Sequence, residues 1–521
     1  MDRPSPGAIE SVQPDQLQAL LADGSELALL DARDQGLYGR GHVLEAVSVP
    51  RAELELRLDR LLPRPAVKTI WCDQDGADGG AAIDAATTAV AQGWQNQQIL
   101  AGGLDHWMAH GGPVVEGLQS LAAGAIDEIG ARAEVPQPSA AALWERMTMG
   151  DLNLVVLDTR NDREFQRRSI PGSISCPGVE LLDHFAHTVT DPTATVVVVG
   201  ADRTGGIVGA HTLTQAGVSN PVVALADGMA GWLAANLPIE PGRQPEARPA
   251  GRSTPGNDIG ELVHRFGGER IDLERLSRWA DDQTRTTYVI DVRRDAEFRS
   301  GHLADSIHVP GARLIESVGE HLAVRNARVV LVDDTETRAV VTAAWLRRLG
   351  WGEAVALAGG LAAVEADGGR LVTGKVARPR VTSVPTIKVS ALAARLPDAA
   401  ETLAVLDVGT SVKYRTKGHI PGSWWGMRSR LDQARAAIGP VDTVVLTSTD
   451  GLLAKLAAAD AVAHWPEAEV LALAGGNKGW RHGGHDMEPG FTRPTTEPDD
   501  VWFAPDDPDD PDHPPAPTTA N

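Results

Sequence analysis

Two cysteines stand in 521 residues, Cys72 and Cys176. Cys72 closes the apolar run KTIWC and opens the polar loop C-D-Q-D-G-A, ahead of a segment with helical periodicity. Backbone N–H groups at a helix start converge on whatever such a loop holds. A thiolate there needs no special side chain for stabilisation, so Cys72 is a candidate nucleophile. Three other loops lie at the matching place: G-A-D-R-T-G from Gly200, D-D-T-E-T-R from Asp333 and S-T-D-G-L-L from Ser448. Arg203 and Arg338 give two of them a cation suited to an oxyanion. Neither Ser448 nor Thr447 has a base nearby in sequence, so hydrolase chemistry is unsupported. Cys176, in the ISCPG turn, reads as structural. His482-Gly-Gly-His485-Asp486 has metal-like ligand types, but two histidines in a glycine turn read as a turn and no metal is expected.

The elements that must position these loops recur four times. An apolar run ends in Asp at Asp31, Asp158, Asp291 and Asp407, and an aromatic follows at Tyr38, Phe165, Phe298 and Tyr414. A turn comes next, with His42, His302 and His419 at one position and Ser169 in the second copy. A β-branched run then leads into the loop, and each copy closes on Leu-Ala-Gly-Gly or a near match, ending at Gly103, Gly228, Gly360 and Gly476. The spacing from the Asp to the last Gly is 72, 70, 69 and 69 residues, too constant for chance. Trp107, Trp232 and Trp480 follow the Gly pair as core plugs, with Val364 in the third copy. The Asp and His positions recur in copies without a nucleophile, so they read as bracing. Continuous β-branched runs alternating with helical periods imply a mainly parallel α/β sheet with helices on both faces. Each copy is long enough to bury its own core, and the copies read as independent domains on a string.

The expected boundaries are 1–120, 121–245, 256–378 and 384–490, followed by an acidic, Pro-rich tail over 491–521. The tail cannot order itself, except where VWF at 501–503 docks as an anchor. Lys plus Arg number 48 and Asp plus Glu 70, a net charge of −22, which disfavours nucleic acid. No apolar run is long enough for a membrane span. The N-terminus lacks a secretory pattern and the cysteines are few, so a cytoplasmic, reducing location is expected.

The Asp strand end, aromatic, Gly-His-Ile-Pro-Gly-like turn, Cys loop and Leu-Ala-Gly-Gly…Trp order resembles the rhodanese domain, across all four copies from about residue 12 to about 490. It is similar to bacterial proteins of four tandem rhodanese domains. The resemblance implies a sulfurtransferase: a sulfane sulfur passes from thiosulfate or a similar donor to a cysteine persulfide, then to a thiol or cyanide acceptor, with no cofactor. By that resemblance Cys72 carries the sulfur, and Asp73, Gln74, Asp75, Gly76 and Ala77, with Arg203 and Arg338, bind the substrate. The family loop reads Cys, four residues, Arg. Here Ala77 stands in the Arg position, and Asp73, Asp75 and Asp78 make the loop acidic. A like-charge pair about 6 Å apart costs on the order of 2–3 kcal/mol at an effective dielectric of about 20, before water and salt screen it. Gly200, Asp333 and Ser448 replace Cys in the other copies. If the first two copies faced each other, Arg203 would supply the cation that Cys72 lacks. The competing reading is a catalytically inactive scaffold that binds anions or partners. Phosphatase chemistry is disfavoured, because it needs Cys, five residues, Arg.

Overall fold

The computed structural model describes residues 9–77, 79–132, 135–151, 153–245, 259–374, 381, 383–397 and 401–503. Its β-branched runs form four sheets flanked by helices. The third sheet runs Arg270–Ile271, Ala354–Leu357, Arg328–Val332, Thr287–Asp291, Ile307–His308. The fourth repeats that order with Thr386–Ile387, Glu469–Leu473, Thr443–Thr447, Leu403–Asp407 and Trp424–Trp425. The second has Val222–Ala224, Thr195–Val199, Leu154–Asp158 and Ile174–Ser175. The first has Glu10–Val12, Gln97–Leu100, Thr69–Cys72 and Leu27–Asp31, with Val47–Ser48 beside the last. Pairing within each copy is parallel, and the expected α/β architecture with helices on both faces is what the chain adopts.

Each sheet buries both faces, because successive side chains point to opposite sides. In the first copy Ala28, Leu30 and Trp71 join one cluster, while Leu27, Leu29, Ile70 and Cys72 pack on Leu17, Leu104 and Trp107 on the other side. The repeated tryptophans are plugs with a fixed polar end. The Nε1 of Trp107, Trp232 and Trp480 donates to the carbonyls of Pro113, Pro238 and Asp486, each at 2.9 Å. Val364 fills the same place by apolar packing alone.

The copies are not beads on a string, which corrects the reading above. One apolar cluster runs continuously through the first three, from Trp71 through Ile207 to Trp345. The helix Ser120–Arg132 between the first and second copies contributes Ala122 and Ile126 to it. Val324–Arg325 of the third copy pairs antiparallel with Leu27–Asp31 of the first, so one sheet takes strands from two copies. The Tyr288 hydroxyl donates to the Leu61 carbonyl at 2.5 Å. The physical reason is that helices on both faces leave apolar outer surfaces, and these bury against each other more favourably than against water. The fourth copy meets the first through charge: buried Arg428 donates to Glu55, Asp460 and the Ala52 carbonyl. The tail packs on the folded copies from Phe491 onward and not at residues 501–503 alone, because its polar groups find partners there. Asp499 takes Arg40 and Arg430, and a Cβ added to Gly39 would stand 2.2 Å from the Trp502 ring. Residues 504–521, like Asp78, lie outside the described residues.

Candidate functional site

Strand register decides which residue sits in each loop. Asp31 is opposite Cys72, Asp158 opposite Val199, Asp291 opposite Val332 and Asp407 opposite Thr447. Cys72 therefore matches Val199, Val332 and Thr447, the last residues of their strands. The residues matching Gly200, Asp333 and Ser448 are one further on, so Asp73 fills this place in the first copy. This corrects the sequence alignment of Cys72 with Gly200.

The hydrogen bonds agree with the register. In the first copy the Gly76 N–H donates to Asp73 Oδ1 at 2.8 Å, and the Ala82 N–H, in the first turn of a helix, to Oδ2 at 2.9 Å. In the third the Arg338 N–H donates to Asp333 Oδ2 at 2.9 Å, and in the fourth the Ala454 N–H to Ser448 Oγ at 3.2 Å. The Ala82, Arg338 and Ala454 N–H groups lie in the first turn of the helix after the loop, so the helix end draws an oxygen of the chain itself. Gly200 offers no side chain, and its loop has closed: a Cβ there would stand 2.7 Å from the Gly206 N. The third copy's Glu316 also reaches this loop, with a carboxylate oxygen 3.3 Å from a Cβ built on Gly205.

Cys72 points the other way. Its side chain is fully buried in the apolar cluster of Leu17, Leu104 and Trp107. Burial pushes its thiol well above the ordinary value, and Asp31 and Asp73 add to that against the opposing pull of Arg33. Cys176 is likewise buried, and neither cysteine is in a disulfide.

The remaining predicted residues divide. Gln74 accepts from Arg33 Nη1 at 2.8 Å and donates to Asp105 at 2.6 Å. Asp75 accepts the Ala77 N–H at 3.1 Å, and the Ala77 carbonyl accepts the Gly80 N–H at 2.9 Å. Gly76 has φ +62°, and a Cβ on it would stand 2.7 Å from the Gly102 N. Asp73 with Gly76 and Asp75 with Ala77 brace the loop from within, and Gln74 ties it to Arg33 and Asp105. Arg203 is bound elsewhere, to Gln137 at 2.9 Å and Asp127 at 3.4 Å, and its described contacts include nothing from the Cys72 loop. The shared pocket with Cys72 is therefore not formed through this arginine.

Arg338 is in its loop, but the loop's own carboxylates neutralise it. It is buried against Asp333 at 2.7 Å, Asp334 at 2.7 Å and Glu297 at 2.9 Å. Burial opposes charge on Asp333, yet Arg338 and the Asp334 N–H outweigh it and hold this carboxyl below its usual range. The reading of Arg338 as a substrate ligand missed this pairing with the loop's own carboxylates.

The signal that could have found Asp73 is spacing. Asp73, Gly200 and Asp333 each lie 42 residues after the strand-end Asp of their copy. That Asp is itself a brace. Arg33, Arg160 and Arg293 fork onto Asp31, Asp158 and Asp291 at 2.6, 2.6 and 2.7 Å. In the fourth copy Gly409 replaces the arginine, and Asn477 Nδ2 donates to Asp407 instead at 2.5 Å. Without a cation, burial pushes Asp407 up to about 6. His42, His302 and His419 stack on their aromatics at 3.8, 3.6 and 3.6 Å and contact backbone carbonyls through Nδ1. Among the described residues no cluster of three or more His, Cys, Asp or Glu could hold a metal ion. Nor is any described helix long and apolar enough to cross a membrane.

The model of the rhodanese-like domain matches residues 13–110, 139–235 and 272–367. The chain belongs to the rhodanese-like domain family. A solved thiosulfate sulfurtransferase from Pseudomonas aeruginosa is 32% identical, spans 95% of this chain and 93% of its own, and superposes with a TM-score of 0.86. A rhodanese-like domain from the Anabaena sp. Alr3790 protein matches 24% of this chain and 94% of its own at 25% identity, TM-score 0.19. A rhodanese-related protein from Thermoplasma volcanium covers 20% of this chain and 97% of its own at 22% identity, TM-score 0.18. Among curated proteins none matches the sequence.

Proposed function

We propose that this rhodanese-family chain uses its four loops for architecture and transfers no sulfur through a persulfide. One observation carries the reading: Asp73, Asp333 and Ser448 fill three loops with oxygens of the chain, and the fourth has closed over Gly200. A carboxylate cannot bear a persulfide, and a resident anion excludes a donor anion from the same N–H groups. Cysteines outside any disulfide fit a reducing compartment such as the cytoplasm.

The second reading is sulfur transfer from thiosulfate to a thiol or cyanide through Cys72. The likeness to a thiosulfate sulfurtransferase over 95% of the chain favours it. It requires Cys72 to leave its strand pairing and to ionise beside Asp31 and Asp73. Thiocyanate formation from thiosulfate and cyanide separates the two. The full chain and Cys72→Ala are expected to give the same uncatalysed rate. Turnover by the full chain that vanishes in Cys72→Ala would establish the second reading.

A further inference from the structure

Away from the four loops, a cavity of about 380 Å³ opens between the first and third copies. Its floor comes from the helix Leu54–Leu61 and the turn before it, and its opposite wall from residues 307–321. Three guanidiniums line it, Arg57, Arg60 and Arg313, against two carboxylates, Glu53 and Glu320. A net positive hollow is unusual in a chain of net charge −22.

The pairing inside is incomplete. Glu320 is taken by Arg313 at 2.7 Å and by Gln119 Nε2 at 2.9 Å. Arg57 donates to the Ser48 carbonyl at 2.8 Å, and among the described residues neither Arg57 nor Arg60 has a carboxylate within 4 Å. Ser48 and His321 also line the cavity, with Ser48 Oγ and His321 Nε2 turned into the protein and closed off from the open space. Burial pushes the Arg57 guanidinium below its usual value, against a partial offset from Glu53 and Glu320. Burial also lowers Arg60, whose side chain reaches solvent, and the neighbouring Arg57 charge adds to that lowering. The same burial lowers His321 to about 4, so it is neutral and able to share one hydrogen bond. Leu56, Leu61, Leu118 and Ile307 supply an apolar wall beside the charge.

We infer that this inter-copy cavity binds a small organic oxyanion, its phosphate or sulfur-oxyanion head on Arg57 and Arg60 and its apolar body against Leu118 and Ile307. Planar guanidiniums match the oxygens of such a head, and the volume lies in the range of small-molecule sites. The site is independent of the reading of the loops.

Isothermal titration of the full chain tests this with phenyl phosphate and benzenesulfonate, beside inorganic phosphate, thiosulfate and uncharged phenol. At least one organic anion is expected to bind below about 1 mM, more tightly than its inorganic counterpart, with no heat from phenol. The tighter of the two identifies the head group. The double substitution Arg57→Gln/Arg60→Gln is expected to weaken binding at least about tenfold. Should that variant misfold, Arg60→Gln alone, which has no described partner to lose, carries the same expectation. Absence of binding to the full chain, or unchanged affinity in a folded variant, overturns the proposal.

Discussion

A single carboxylate accounts for the third loop. Asp333 is fully buried, and its charge is tolerated only because Arg338 and the loop N–H groups surround it. Removing Arg338 leaves that charge unpaired, which costs about 3–5 kcal/mol in comparable sites. Arg338→Met is therefore expected to lower the urea midpoint at pH 7. Because Asp333 titrates below its usual range, its stabilisation is present above the unfolded value and lost as pH falls beneath it, so the variant and the parent should converge in acid. Glu316 has the opposite sign. Burial, with Asp202 and Glu164 nearby, pushes it up to about 7. A carboxyl raised in the folded state stabilises below its unfolded value, and that contribution is lost as pH rises from about 4.5 to about 7. Glu316→Gln should raise the melting temperature at pH 8 and leave it unchanged at pH 4. The gain is at most about 3 kcal/mol, less where water reaches the carboxyl.

At the scale of elements, the Gly-Gly turn ties the last helix of each copy to its loop. Leu104 and Asp105 donate to the Asp73 and Gln74 carbonyls, and Met229, Leu361 and Asn477 make the matching contacts to Gly200, Asp333 and Ser448. Gly360 has φ +53°, and a Cβ there would stand 2.1 Å from the Asp333 carbonyl oxygen. Gly360→Ala is expected to destabilise by about 1–3 kcal/mol or more from backbone strain alone, read by denaturant unfolding. These markers were legible in sequence because tight turns and buried Asp ends admit few residue types. The strand end was not. KTIWC and TVVVVG look alike as apolar runs, and a run does not state its last residue. Pairing with Asp31 sets that limit, and it lies between Cys72 and Asp73. Counting from the nearest cysteine moved the loop by one residue and turned an inward side chain into an apparent nucleophile.

Across the whole molecule, the sequence repeats predicted four similar sheets but not how they join. The joining depends on surfaces that a linear pattern cannot pair: the apolar cluster common to three copies, the strand Val324–Arg325 lent to the first sheet, and Arg428 reaching Glu55. A chain whose copies share a core should unfold its first three together, in one transition. The proposed function rests on oxygens of the chain filling the loop a persulfide would need. Intact mass of the native protein after incubation with thiosulfate tests this most directly. The account predicts an unchanged mass, with both thiols reacting with a maleimide only after unfolding. A gain of one sulfur atom, mapped to the peptide that contains Cys72, would contradict it.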